Sequence, residues 1–140
     1  MKKLLAVDGN SIINRAFYGI RPLSTSDGLP TNAIYGTVSI LAKHLEALKP
    51  DFCVIAYDLK EPTFRHEIFD KYKAGRRPMP NELAAQFDIA KECAGILGFV
   101  PLSIAGYEAD DILGALARAA AEDGGIETYI VTGDRDSLQL

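Results

Sequence analysis

Two stretches, KLLAVD at residues 3–8 and FCVIAYD at 52–58, are apolar without the every-other-residue alternation of a half-exposed strand. A run of that kind reads as a strand covered on both faces, which parallel sheets require and helical crossovers provide. IETYIV at 126–131 is a weaker third candidate because of its polar positions, and FVPLSI at 99–104 a fourth, which Pro101 confines to a sheet edge. Between them lie helical spacings. Ile34, Val38, Leu41, Leu45 and Leu48 follow a start signal at Thr31 and Asn32. Leu83, Phe87, Ala90, Ala94 and Leu97 open at Pro80 and Asn81 and close at Gly98. A third helix runs through GYEADDILGALARAA and closes at Gly124 and Gly125. The alternation predicts an α/β fold, a mainly parallel sheet flanked by helices.

The 140 residues, 48% hydrophobic and 24% charged, suffice for one substantial core, so one domain, or most of one, is expected. The apolar run after Lys2 and Lys3 is too short for a signal peptide or a membrane span, which predicts a cytoplasmic chain with no membrane partner. Cys53 falls in a strand and Cys93 on the apolar side of a helix, and no CxxC or His/Cys cluster is present, so both read as buried reduced thiols.

The net charge of −4 excludes a chain that coats nucleic acid by bulk charge, but it is unevenly spread. Lys60, Arg65, Lys71, Lys73, Arg76 and Arg77 oppose Glu61, Glu67 and Asp70, a local +3 that leaves −7 for the rest. This basic stretch belongs to residues 59–80, which are too long for an ordinary strand-to-helix connection, too charged for core and bounded by prolines.

The acidic residues fall where strands end. Asp8 closes the first strand, Asp58 the second, and Asp134 and Asp136 follow the last. Open parallel sheets bind ligands outside the carboxyl ends of their strands, so aspartates far apart in the chain are expected to meet on one edge. Any one of them is as readily a turn or capping aspartate; the set is harder to explain that way. Glu108, Asp110 and Asp111 open the third helix, making seven acids for one rim. Carboxylates so gathered repel unless neutralised, and oxygen-only donors suit Mg²⁺ or Mn²⁺ rather than Zn²⁺. Two such ions about 4 Å apart would clamp the attacking and leaving oxygens of a phosphodiester during displacement by water. On a helical wheel Glu108 and Asp111 share a face about 60° wide, whereas Asp110 points to the other side.

Taken as a set, LLAVDGNSIINRAFYG, NAIYG, VIAYDLKEPTFRHEIFDKYKAGRRPMP, GYEADDILG and VTGDRDSLQL resemble the 5′-nuclease (flap endonuclease) superfamily, and within it the amino-terminal 5′→3′ exonuclease domain of bacterial DNA polymerase I. The resemblance covers essentially the whole chain. It implies a PIN-like fold with a helical arch at 59–80, and divalent-metal hydrolysis of DNA at 5′ ends, flaps and junctions. It makes Asp8, Asp58, Glu108, Asp110, Asp111, Asp134 and Asp136 metal-binding acids, with Asp110 or Asp136 acting through water. Arg65, Tyr72 and Lys73 match residues that handle the scissile phosphate and the adjacent base, and Arg15 a basic residue near the site. Arg76 and Arg77 extend the phosphate-contacting arch. Tyr72 offers a base a stacking surface, and Lys73 can stabilise charge developing on the phosphate. Phe64 and Phe69 read as packing residues, and His44 and His66 as surface or packing residues.

The family's pattern continues past GDRDSLQL with further metal-binding aspartates and a helical hairpin that grips duplex DNA. The chain is therefore expected to be an amino-terminal piece, residues 1–140 of the catalytic domain, acting as a monomer and weak or silent alone; a polymerase domain following it is compatible with the resemblance. Two other classes compete. A Mg²⁺-dependent phosphoryl-transfer domain also places aspartates at strand ends, but needs neither GYEADD nor the basic insertion. A non-catalytic nucleic-acid-binding piece would bind DNA without cleaving it.

Overall fold

The computed structural model describes residues 1–58 and 80–132. Its elements are β1 (Lys2–Asp8), α1 (Gly9–Gly19), α2 (Asn32–Leu48), β2 (Phe52–Ala56), α3 (Asn81–Ile96), β3 (Val100–Leu102), α4 (Ala109–Asp123) and β4 (Ile126–Val131). All four strands pair in parallel, in the order β3-β2-β1-β4. The four expected strands are present, and β3 with Pro101 is an edge strand, where the missing N–H interrupts no ladder. β2 ends at Ala56, two residues short of Asp58, although Tyr57 N–H still donates to the Leu102 carbonyl of the neighbouring chain segment at 2.8 Å.

The pleat of the central strands sorts two cores. Leu5, Val7, Ile55 and Tyr57 face Ile12 and Ile13 of α1, Leu41 of α2, and Leu83 and Ala90 of α3. Ala6 and Ala56 face the other way, onto Ala109, Ile112 and Leu113 of α4. Three helices thus cover one face and one the other, so β1 is buried on both sides, as its unbroken apolar run requires. The helix α4 closes at Gly124, whose φ of 76° is the left-handed conformation glycine adopts without strain. Cys53 and Cys93 are free thiols but only half-buried, and Cys53 Sγ donates to the Gly98 carbonyl at 3.2 Å.

α1 was not expected. Its signals are a capping aspartate at Asp8 and the buried spacing Ile12, Ile13, Ala16. It crosses α2 so closely that a methyl on Gly36 would meet Ala16 Cβ at 2.6 Å. A buried amide then ties these helices to α3. Gln86 Oε1 accepts the N–H groups of Ala33 and Ile34 at 2.6 and 3.1 Å, in the first turn of α2, where Thr31 makes no side-chain cap. Gln86 Nε2 donates to Asn32 Oδ1 at 2.9 Å, and Asn32 Nδ2 donates to the carbonyls of Phe17 and Ile20 at the end of α1. One residue of α3 therefore caps α2 from a distance and, through Asn32, satisfies the end of α1.

Gln86→Leu keeps the volume but strands two helix N–H groups and the Asn32 amide oxygen. It is expected to lower stability by about 2–4 kcal/mol in chemical denaturation, against less than about 0.5 kcal/mol for the exposed control Glu82→Gln. Gly36→Ala is expected to cost about 1–3 kcal/mol by forcing α1 and α2 apart, read as a lower melting temperature.

Candidate functional site

Parallel strands end together. The register sets Asp8 beside Ala56, Ala56 beside Leu102 and Val7 beside Val131, so the exits of all four strands share one edge. β2 is reached from β1 through α1 and α2 over one face, and β4 is reached through α4 over the other. The connections diverge at β1, which makes the crevice beside its carboxyl end the switch point at which such sheets hold ligands.

Asp8 ends β1 and is buried, and its carboxylate accepts Ser11 N–H at 3.1 Å as the N-cap of α1. Asp58 is fixed twice. Its N–H donates to Asn10 Oδ1 at 2.8 Å, and its carboxylate accepts Ala109 N–H, the first of α4, at 2.6 Å. That bond joins a carboxylate to the positive end of a helix and supplies one of the partners that helix starts lack. Glu108 is the extended N-cap of α4, and Asp111, in the third helical position, turns back to accept Glu108 N–H at 3.0 Å in a capping-box arrangement. The two acids expected to share a face are therefore in contact, although Glu108 stands just outside the helix, where a wheel does not apply. Asp110 is half-buried in the same first turn.

Asp8, Asp58 and the acids opening α4 thus stand on three separate elements at one edge. Among the described residues, no three carboxylate, imidazole or thiol groups are arranged to hold a metal ion. Asp134 and Asp136 lie outside the described residues, as do Arg65, Tyr72, Lys73, Arg76 and Arg77. The donors at this edge are all oxygen, which fits a hard divalent cation, and a carboxylate offers roughly four lone-pair positions, so an N–H bond does not exhaust its capacity to ligate.

Three further residues shape the edge. Asn10 holds Asp58, as above. Ser11 Oγ accepts from Thr132 Oγ1 at 3.2 Å, which links the start of α1 to the exit of β4, and Thr132 is buried. Nothing in the local sequence marks these contacts, since their partners lie 48 and 121 positions away. Gly9 lies directly under the Tyr57 ring, where any side chain would overlap it, and Lys91 Nζ stands 4.7 Å from the ring centroid. Burial pushes the Tyr57 phenol up to about 12, so it stays neutral and serves as packing.

Arg15 is exposed on α1 and lines a groove of about 400 Å³ with Lys43 and His44 of α2 and with Thr132 at the exit of β4. Burial first, and the neighbouring Lys43 second, hold the His44 imidazole below its ordinary value, consistent with a packing residue. No helix among the described residues is long and apolar enough to cross a membrane.

Residues 3–140 match the family model described as the 5′-3′ exonuclease, N-terminal resolvase-like domain. DNA polymerase I of Caldicellulosiruptor bescii is 42% identical over 138 residues, and that of Bacillus subtilis 43% over 139. Each alignment covers 99% of this chain and 16% of the relative, so the chain spans about a sixth of the length of these proteins. Among solved structures, the 5′-exonuclease of bacteriophage T5 bound to divalent zinc superimposes with a TM-score of 0.65 at 20% identity, covering 97% of this chain and 51% of that one. A bacteriophage T5 flap endonuclease, in a pseudo-enzyme-product complex with DNA and metal ions, gives 0.61 at 19%, covering 97% and 50%. At those identities the likeness establishes the fold, a mostly parallel sheet flanked by helices; the sequence match over nearly the whole chain establishes the kinship. The chain belongs to the family of 5′-3′ exonuclease N-terminal, resolvase-like domains.

Proposed function

We propose that this chain carries the catalytic edge of a divalent-metal-dependent 5′ nuclease that hydrolyses DNA phosphodiesters at 5′ ends, flaps and junctions, within a protein of the DNA polymerase I kind. The observation that carries the reading is the Asp58 carboxylate seated on Ala109 N–H, which draws the acid after β2 against the start of α4, beside the end of β1. Acids from three elements then stand at the carboxyl edge of a parallel sheet, in a chain whose family is named for 5′-3′ exonuclease activity.

Asp8, Asp58, Glu108, Asp110 and Asp111, with Asp134 and Asp136, are the residues that would hold Mg²⁺ or Mn²⁺. Such ions, when bound, supply Lewis-acid stabilisation of the attacking and leaving oxygens of the phosphodiester. The protein's own part is to fix those oxygen donors on rigid strand and helix ends. Arg15, Arg76 and Arg77 neutralise backbone phosphates and position the strand without reading its sequence. Tyr72 stacks on a base, and Arg65 and Lys73 meet the charge that grows on the scissile phosphate. The T5 relatives crystallised with metal ions and with DNA support this reading of the donors and of the substrate class.

Cleavage of a 5′-flapped duplex is expected with Mg²⁺ or Mn²⁺ when this chain is part of the longer protein, and is abolished by EDTA; the 140 residues alone are expected to turn over weakly or not at all. Asp58→Asn keeps an oxygen for Ala109 N–H while removing the charge, and is expected to cut the rate by at least about 100-fold with little change in melting temperature. A longer protein containing this chain that cleaves no 5′-ended substrate with any divalent ion would overturn the proposal. Arg76→Ala combined with Arg77→Ala is expected to flatten the slope of log affinity against log salt for single-stranded DNA by about 1.4, and an unchanged slope would remove these residues from the phosphate contacts.

A further inference from the structure

The first turn of α1 does more than continue β1. Asp8 begins it, and the next three residues each touch the extension of a strand, Gly9 and Asn10 that of β2 and Ser11 that of β4. Gly9 admits the Tyr57 ring, Asn10 Oδ1 takes Asp58 N–H at 2.8 Å, and Ser11 Oγ takes the Thr132 hydroxyl at 3.2 Å. Of these contacts the one from Asn10 bears most directly on the site. Asp58 stands two residues beyond the last residue of β2, where the ladder to β1 has ended at the pairing of Asp8 with Ala56. Its backbone therefore has no strand partner on the β1 side, and the Asn10 amide oxygen replaces one. The Asn10 side chain is itself placed by the helix, because its backbone is in the first turn and its carbonyl accepts from Asn14 Nδ2 at 2.8 Å.

We propose that Asn10 is a positioning residue for Asp58, acting on the acid through its backbone N–H, so that the affinity of the edge for a divalent cation depends on a residue that is not itself a ligand. The inference rests on the metal-dependent reading above. The carboxylate of Asp58 leaves a backbone held at one end by Asn10, and its own oxygen is held at the other by Ala109 N–H. Removing the first hold frees the φ and ψ of Asp58, and with them the direction in which the acid is presented. Partners that orient a metal ligand in this way typically alter metal affinity by about 10–100-fold when lost.

The test compares Asn10→Leu, which keeps the size and loses the acceptor, with Asn10→Asp, which keeps an oxygen in the same place. Two quantities are read in the purified protein: Mn²⁺ binding by electron paramagnetic resonance, and hydrogen exchange of the peptide containing Asp58. Asn10→Leu is expected to weaken Mn²⁺ binding by about 10-fold or more and to speed exchange at Asp58, while Asn10→Asp restores slow exchange and binds at least as tightly as the wild type. Should Asn10→Leu not fold, Asn10→Ser, whose hydroxyl is too short to reach the amide, takes its place and must show the same two losses. Unchanged Mn²⁺ binding in the acceptor-less variant, or slow exchange retained at Asp58, would overturn the proposal while leaving the nuclease reading intact. A wild-type protein that takes up no Mn²⁺ would overturn both.

Discussion

Everything in this molecule is arranged around β1 having a parallel neighbour on each edge. Parallel partners cannot be joined by a tight turn, so each must be reached by a crossover that returns the chain to the starting end of the sheet. The crossovers are helices, and they cover both faces of a strand that exposes almost nothing. The same requirement aligns the carboxyl ends of the strands. Two of the acids on those ends are bonded to helix starts: Asp8 accepts Ser11 N–H in α1, and Asp58 accepts Ala109 N–H in α4.

Two small polar clusters convert that topology into fixed positions. Gln86 and Asn32 satisfy helix ends that would otherwise be buried without partners, and so hold α1, α2 and α3 in one arrangement. At the opposite end of α1, Asn10 and Ser11 reach the exits of β2 and β4. The helix is thus secured at both ends, and the strand it follows is secured with it. A fully bonded buried network of this kind specifies one packing among the many that an apolar core alone would tolerate.

Much of this was legible in the sequence. Unbroken apolar runs revealed β1 and β2, Pro101 assigned β3 to an edge, a start signal placed α2, start and stop signals bounded α3, and a stop signal closed α4. α1 was missed because Asp8 was read as an acid at a strand end, when it also caps the helix that follows without a break. The spacing suggested that Glu108 and Asp111 share a face, but not the capping bond from the Glu108 backbone N–H to the Asp111 carboxylate, because Glu108 stands outside the helix as its N-cap. What could not be read were the roles of Gln86, Asn10, Ser11 and Thr132. Each is an ordinary polar residue in its local context and acquires its role only from a partner dozens of positions away, which no periodicity encodes. The basic residues of 59–79 and the last two acids, Asp134 and Asp136, lie outside the described residues, so the resemblance alone speaks for them.

The hydroxyl pair of Ser11 and Thr132, separated by 121 positions, also bears on biosynthesis. β1 is the first strand to be translated, yet its pairing with β4 must wait for the last described strand. At roughly 5–20 residues per second, that interval is on the order of 6–24 s, during which an apolar strand has one edge open. The β1–β4 side is therefore the last part of the described sheet to be completed. Over that interval β1 is open to mispairing along one edge, and the local packing of α1 on α2 is the shelter available to it.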